Sequence, residues 1–403
     1  MVCGNINLGE NMKKVITGLI VLFSFICVNA LEIKSNNAIL YNMNDNTIIY
    51  EKNAYDKVQI ASLTKIVTAI TYIENNRDLA TPVTITWDML YGLDGYAKIG
   101  LRPGDKLTKL ELLYATMLPS AADSAQALAI NNSGSIDSFV DLMNKEVEKI
   151  GVKNTHFTNP VGKDNDGNYS TAYDMSQILI YALKNDTFKT IFQADQYYLS
   201  SINKNIVKTV KDKERDYGLD TSLIKGAKTG YTDKAGLCLA STSYIDGVDY
   251  LLVTLGTPID YPYHITDAID IYTYYSTNYG YVDILNTNDY LTSIKVENSK
   301  LKSYDVYSNK DIKKYLKKDT KKEDLIYVYE GIQKINKNIK KGTKLGVVSI
   351  YLEDTILDTY DVYLDISIKY YNYVLYISIA IIILFIFIFT IRHKKRSKKL
   401  LKK

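Results

Sequence analysis

Cysteine and histidine are scarce in this chain of 403 residues, three of each, and their scarcity removes whole classes of chemistry. Cys3 and Cys27 fall in an N-terminal leader that should be removed, which leaves Cys238 without a disulfide partner and with core packing as its ordinary role. His156, His264 and His393 are too few for a multi-histidine metal centre and leave a Ser-His-Asp triad two candidates outside the basic C-terminus. Positive charge is also scarce where a nucleic-acid surface would need it. The total is +4, but eight cations lie between Arg392 and Lys403 and the leader adds a net +1, so the part between carries about −5. With 46% hydrophobic and 23% charged residues, neither wholesale disorder nor a multi-span membrane protein fits.

Each end of the chain has an apolar run. Met12-Lys13-Lys14, the stretch Val15 to Val28 and then Val28-Asn29-Ala30 form a charged, an apolar and a small-residue segment, the pattern of a secretory signal over residues 1–30. An uncleaved anchor is the alternative, although the run is short for a span. At the other end Val374 to Ile391 carries no charge over 18 residues, enough at 1.5 Å per residue to cover about 27 Å of hydrocarbon. Tyrosines at 370, 371, 373 and 376 sit on its upstream side and a polybasic stretch follows, which predicts a transmembrane helix over 372–391 and a cytoplasmic tail over 392–403. The body of the protein would then face outward.

Between these ends, residues 31–285 mix helical and β-rich stretches. Ala235 to Tyr244 and Val248 to Gly256, joined by Asp246-Gly247, read as a hairpin and imply an antiparallel sheet. Residues 286–366 are rich in Lys, Asp, Asn and Tyr with alternating apolar positions, and read as a small all-β domain whose lysines form a solvated face.

Three short motifs carry chemistry. In the first, Ser62 and Lys65 open a segment whose Ile66, Ile70 and Ile73 recur at helical spacing, so the two side chains share a face with Cβ atoms about 5–6 Å apart. A serine hydroxyl needs a base, and lysine serves as one only if burial or a second cation lowers its pKa. A serine cap followed by a solvated lysine is the plainer reading of the same spacing. The second motif is Lys228-Thr229-Gly230, where a strand should begin; a cation with a hydroxyl suits an anionic substrate end, and glycine lets a ligand approach the backbone. An edge-strand lysine before a turn is its plainer reading. The third is Ser120, placed to relay a proton or to cap the helix that follows, with Asp123 as a capping-box-like acid.

In this order and at these separations the motifs resemble those of the penicillin-recognising serine enzymes, Ser-Xaa-Xaa-Lys, Ser-Xaa-Asn and Lys-Thr-Gly. The sequence looks most like the serine-type D-alanyl-D-alanine carboxypeptidases among the low-molecular-mass penicillin-binding proteins. The likeness rests on Ala61 to Ala69, Leu101-Arg102-Pro103-Gly104-Asp105, Asn159-Pro160-Val161-Gly162, Tyr169 to Met175 and Lys228 through Gly236, and it runs from about residue 35 to 260. The resemblance implies an α+β fold: a β-lactamase/transpeptidase-like catalytic domain, an antiparallel sheet with helices, followed by the small β domain and the membrane helix. It implies Ser62 as acylated nucleophile, Lys65 as its base, Ser120 as proton relay, and Lys228, Thr229 and Gly230 as substrate-binding residues. The backbone N–H groups of Ser62 and Tyr231 would form the oxyanion hole.

The activity so implied is removal of the terminal D-alanine from peptidoglycan stem peptides, with β-lactams as inhibitors, the membrane as the attachment, and no metal, cofactor or nucleic acid required. The chain departs from the pattern where Ser120-Ala121-Ala122 replaces Ser-Xaa-Asn, because alanine has no amide to hold the lysine or the substrate carbonyl. Either Asp123 supplies that contact or the position matters less in this subgroup. The other readings are a catalytically impaired penicillin- or wall-binding protein and a D,D-endopeptidase. A β-lactamase would need a deacylating glutamate, with no convincing counterpart between Gly134 and Thr221.

Overall fold

The computed structural model describes residues 31–400, so the expected signal segment lies outside the described residues. The described residues divide into two compact units, with the division between Thr277 and Asn278. The division falls ahead of the 285/286 boundary expected from composition, because the strand Tyr279–Leu285 pairs antiparallel with Ile312–Lys317 of the second unit.

The first unit is built on a five-stranded antiparallel sheet ordered Thr47–Lys52, Asn37–Asn42, Val248–Thr257, Gly236–Ile245 and Gly226–Thr232. The expected hairpin is its centre. Ile245 faces Val248 across Asp246 and Gly247, whose φ values of 51° and 82° match a two-residue turn that follows the right-handed twist of the strands. Strand Asn37–Asn42 is buried on both faces, and so reads as a continuous core strand rather than an alternating one.

The helices are fixed by local chemistry. Thr108 and Glu111 form a reciprocal capping box at the start of Lys109–Met117, while Ser135, Thr171 and Asn185 cap Ile136–Ile150, Ala172–Ala182 and Asp186–Gln193 with side-chain oxygens. Helix Thr64–Asn75 is buried along ten of its twelve residues, including Ile66, Ile70 and Ile73. It therefore lies in the core of this unit, and its first turn carries Lys65 into that core. Cys238 is a free, fully buried thiol, in keeping with a packing role.

Up to its last helix the second unit is built of strands and a single 3-10 turn, Lys322–Asp324, among the described residues. It has the pair already named, a three-stranded sheet of Ser303–Tyr307, Tyr290–Val296 and Lys334–Ile335, and another of Leu325–Gly331, Lys344–Leu352 and Thr355–Tyr363. Burial alternates along Ser303–Tyr307, and Ile284, Ile294, Val348, Ile350 and Val362 meet in one apolar core. The final helix spans Tyr373–Leu400, and its Tyr373–Arg396 stretch contains a run long and apolar enough to cross a membrane. Helical structure continues past Ile391 into the basic residues expected as a separate tail, since lysine and arginine are good helix formers and nothing there breaks the pattern.

Candidate active site

The 3-10 turn Ala61–Leu63 leads directly into helix Thr64–Asn75, which puts Ser62 one turn below Lys65. The Lys65 ammonium donates to Ser62 Oγ at 2.8 Å and to the Val161 carbonyl at 2.6 Å. Only 1% of Lys65 is exposed. Burial lowers its pKa to about 7, with the Asp123 carboxylate opposing the shift, so the neutral amine is well populated at neutral pH.

The Val161 carbonyl is held in place by its own loop. Asn159 Oδ1 accepts from the backbone N–H of Gly162 at 2.8 Å and Lys163 at 2.9 Å, while the Thr68 hydroxyl donates to the Pro160 carbonyl. Gly162, at φ +81°, passes so close to Ala61 that a Cβ would stand 2.0 Å from its carbonyl oxygen. Only glycine meets both conditions.

Lys228 comes from the edge strand Gly226–Thr232. Its ammonium donates to Ser120 Oγ and to the Thr229 carbonyl, both at 2.7 Å. It is sealed from solvent and is not among the residues that line the cleft; burial, and then the Lys65 charge, hold its pKa well below the lysine range. The Thr229 hydroxyl does line the cleft and lies 2.5 Å from Thr209 Oγ1. At Gly230 a Cβ would come 3.0 Å from Ser62 N, so the absent side chain lets the strand lie against the Ser62 amide.

Ser120 does not cap the following helix. Ala121 occupies the N-cap of Ala122–Ser133, with no side-chain cap, while Ser120 itself sits at φ +63° with its hydroxyl turned to Lys228. Ala61, next to Ser62, has φ +48°. Such conformations cost about 1–3 kcal/mol each in non-glycine residues and cluster where side chains must be aimed.

The alanine at 122 is fully buried among Leu93, Ala125 and Val161, with Tyr96 packed against them. Asp123 does not stand in for an amide there. Its carboxylate accepts from the backbone N–H groups of Ile99, Gly100 and Leu101 at 2.9–3.2 Å and so ties down the segment before it. The restraint on Lys65 comes instead from Val161, a main-chain contact that sequence motifs do not announce.

Ser62, Lys65, Ser120, Thr209, Lys213 and Thr229 line a cleft of about 610 Å³. Of the two histidine candidates, His156 is engaged by the Gly167 carbonyl at 2.7 Å. His264 lines the cleft but is buried and held neutral, its pKa lowered to about 4 by burial and by Lys213, and the bonded partner of Ser62 is Lys65. Sequence reasoning missed Thr209, Lys213, Tyr96 and the Val161 carbonyl. The Asn159-Pro160 and Gly162 punctuation was the available signal for the last of them.

Known families match most of the chain. The profile of the family described as D-alanyl-D-alanine carboxypeptidase matches residues 25–258, and that described as penicillin-binding protein 5, C-terminal domain, matches 279–370. The D-alanyl-D-alanine carboxypeptidase DacF of Bacillus subtilis is 27% identical over 80% of this chain and 83% of its own. A D-alanyl-D-alanine carboxypeptidase of a Streptomyces species is 32% identical over 58% and 85%. Among solved structures, penicillin binding protein 5 of Haemophilus influenzae matches with TM-score 0.61 and 21% identity over 84% of this chain and 98% of that one, a likeness of fold.

Proposed function

Because the chain belongs to the D-alanyl-D-alanine carboxypeptidase family of penicillin-binding serine peptidases, we propose that it removes the terminal D-alanine from peptidoglycan stem peptides through an acyl-enzyme on Ser62. The observation that carries this reading is a serine hydroxyl 2.8 Å from a buried lysine whose pKa lies near neutrality. Neutral Lys65 takes the Ser62 proton as Oγ attacks the carbonyl of the penultimate D-alanine. The Ser62 and Tyr231 N–H groups are the donors assigned to the developing oxyanion. The amide C–N bond then breaks, and the leaving amine receives its proton from the Lys65–Ser120–Lys228 side of the cleft.

Water attacks the ester with Lys65 again as base, which releases the shortened peptide and restores Ser62. The substrate's terminal carboxylate is complemented by the hydroxyls of Thr209 and Thr229 and by Lys213, the cation that lines the cleft beside them. Lys228 acts from behind Ser120, by the hydrogen bond that orients its hydroxyl. The C-terminal helix would hold this chemistry on the outer side of a cell membrane, its polybasic end in the cytoplasm.

The test is intact-mass analysis of the protein with penicillin, followed by D-alanine release from an acyl-D-Ala-D-Ala peptide. A single adduct with release is expected. An adduct without release would move the reading to a binding role or another acceptor, cleavage confined to cross-linked stems would make it an endopeptidase, and no adduct would overturn it.

A further inference from the structure

The loop that enters the cleft also carries a pair of aromatic rings that the catalytic machinery does not use. Trp87 and Tyr91 flank a single 3-10 turn, Asp88–Leu90, and are 77% and 85% exposed. Their neighbours Met89 and Leu93 are buried, so the loop is sorted into an inward and an outward set. Nor is it loosely attached. The buried Gln126 amide donates to the carbonyls of Met89 at 3.2 Å and Tyr91 at 2.9 Å, Leu93 packs on Ala122, and Ala122 N–H bonds the Ala97 carbonyl.

The chain after Tyr91 runs into the cleft wall, where Asp94, Tyr96 and Ala97 line the same cleft as Ser62 and Ser120. A large ring held outside on a fixed loop forgoes burial that would otherwise stabilise the fold, and such rings recur where a ligand covers them.

We propose that Trp87 and Tyr91 form a platform for the glycan strand of peptidoglycan, sugar rings stacking by their C–H faces on the aromatic rings while the attached stem peptide enters the cleft. The inference rests on the carboxypeptidase reading for its substrate. Exposed Asp88 and Asp94 beside the rings offer acceptors for sugar hydroxyls. Those carboxylates also disfavour an anionic membrane surface, which would call for cations. The platform would make the enzyme prefer stems carried on strands over free peptides.

Trp87 is the one tryptophan of the chain, so its emission reports on the platform directly. Peptide-free glycan strands added to the full-length protein in detergent should shift that emission to the blue, and the Tyr91→Ala variant should weaken the shift. Trp87→Ala should lower D-alanine release from pentapeptide-bearing strands by about tenfold or more relative to release from a soluble acyl-D-Ala-D-Ala peptide. An unmoved emission, or equal loss on both substrates, overturns the platform. The emission experiment needs no turnover, so a shift without any release would refute the carboxypeptidase reading and leave the platform standing.

Discussion

In the first unit the interior holds lysines, carboxylates and hydroxyls beside its apolar core, with Lys65, Lys208 and Lys228 each nearly sealed from solvent. In the second, among the described residues, Ser308 is the one buried polar side chain and the rest of the core is aliphatic or tyrosine. Burying an ammonium is expensive unless it is paired. Burial lowers the pKa of all three, but Lys208 has the Asp195 carboxylate at 3.0 Å to oppose the shift, whereas Lys65 and Lys228 hydrogen-bond only to hydroxyls and carbonyls. The contrast teaches that the first unit keeps a cost in its core that the β unit avoids, and that the cost is left without an ion-pair partner at the two lysines of the candidate active site.

The hardest way to break that comparison is to remove the hydroxyl proposed as the nucleophile. Ser62→Ala should abolish covalent labelling by a fluorescent penicillin and lower D-alanine release by about 10⁴-fold or more, and an adduct that persists would place the acylation elsewhere. Next in size, Ile350→Ala opens a hole in the aliphatic core of the second unit and should destabilise it by about 2–5 kcal/mol in urea unfolding. Labelling of Ser62 should survive at urea concentrations where that unit has melted. If labelling is lost in step, the two units are not independent.

Lys65→Met sharpens the contrast from the other side. The folded-state pKa of Lys65 lies near 7 against an ordinary 10.5, so folding disfavours its proton; the penalty is full below about pH 7 and fades as pH rises towards 10.5. The variant should be inactive yet more stable by about 1–3 kcal/mol at pH 7, with the gain shrinking by pH 10. Thermal melts at the two pH values measure this, and a destabilised variant at pH 7 would show that the bonds to Ser62 and Val161 outweigh the desolvation. The smallest effect is on rate: acylation by penicillin should fall about tenfold per pH unit below about pH 7, as the base takes up its proton. A flat profile there would exclude Lys65 as the base.

Much of the fold was legible from local signals. Alternation and the Asp246-Gly247 pair located the hairpin, helical spacing placed Ser62 and Lys65 on one face, and an uncharged run with a basic flank marked the C-terminal helix. The plainer reading of Ser120 as a helix cap was wrong because its backbone adopts a left-handed conformation, and nothing short-range in Pro119-Ser120-Ala121 signals that. The role of Asp123 was hidden for a related reason, since its partners are the amides of residues 99–101.

What the sequence determined by itself was the set of chemical groups and their short-range spacing, because helix and strand periodicity fix which neighbours share a face. The tertiary structure decided which of those groups meet, and in what surroundings. It sealed Lys65 in the core and brought it the Val161 carbonyl from 96 residues away, and it set Lys228 behind Ser120 across 108 residues. A lysine becomes a base through the solvent it loses, and only the packed fold removes that solvent.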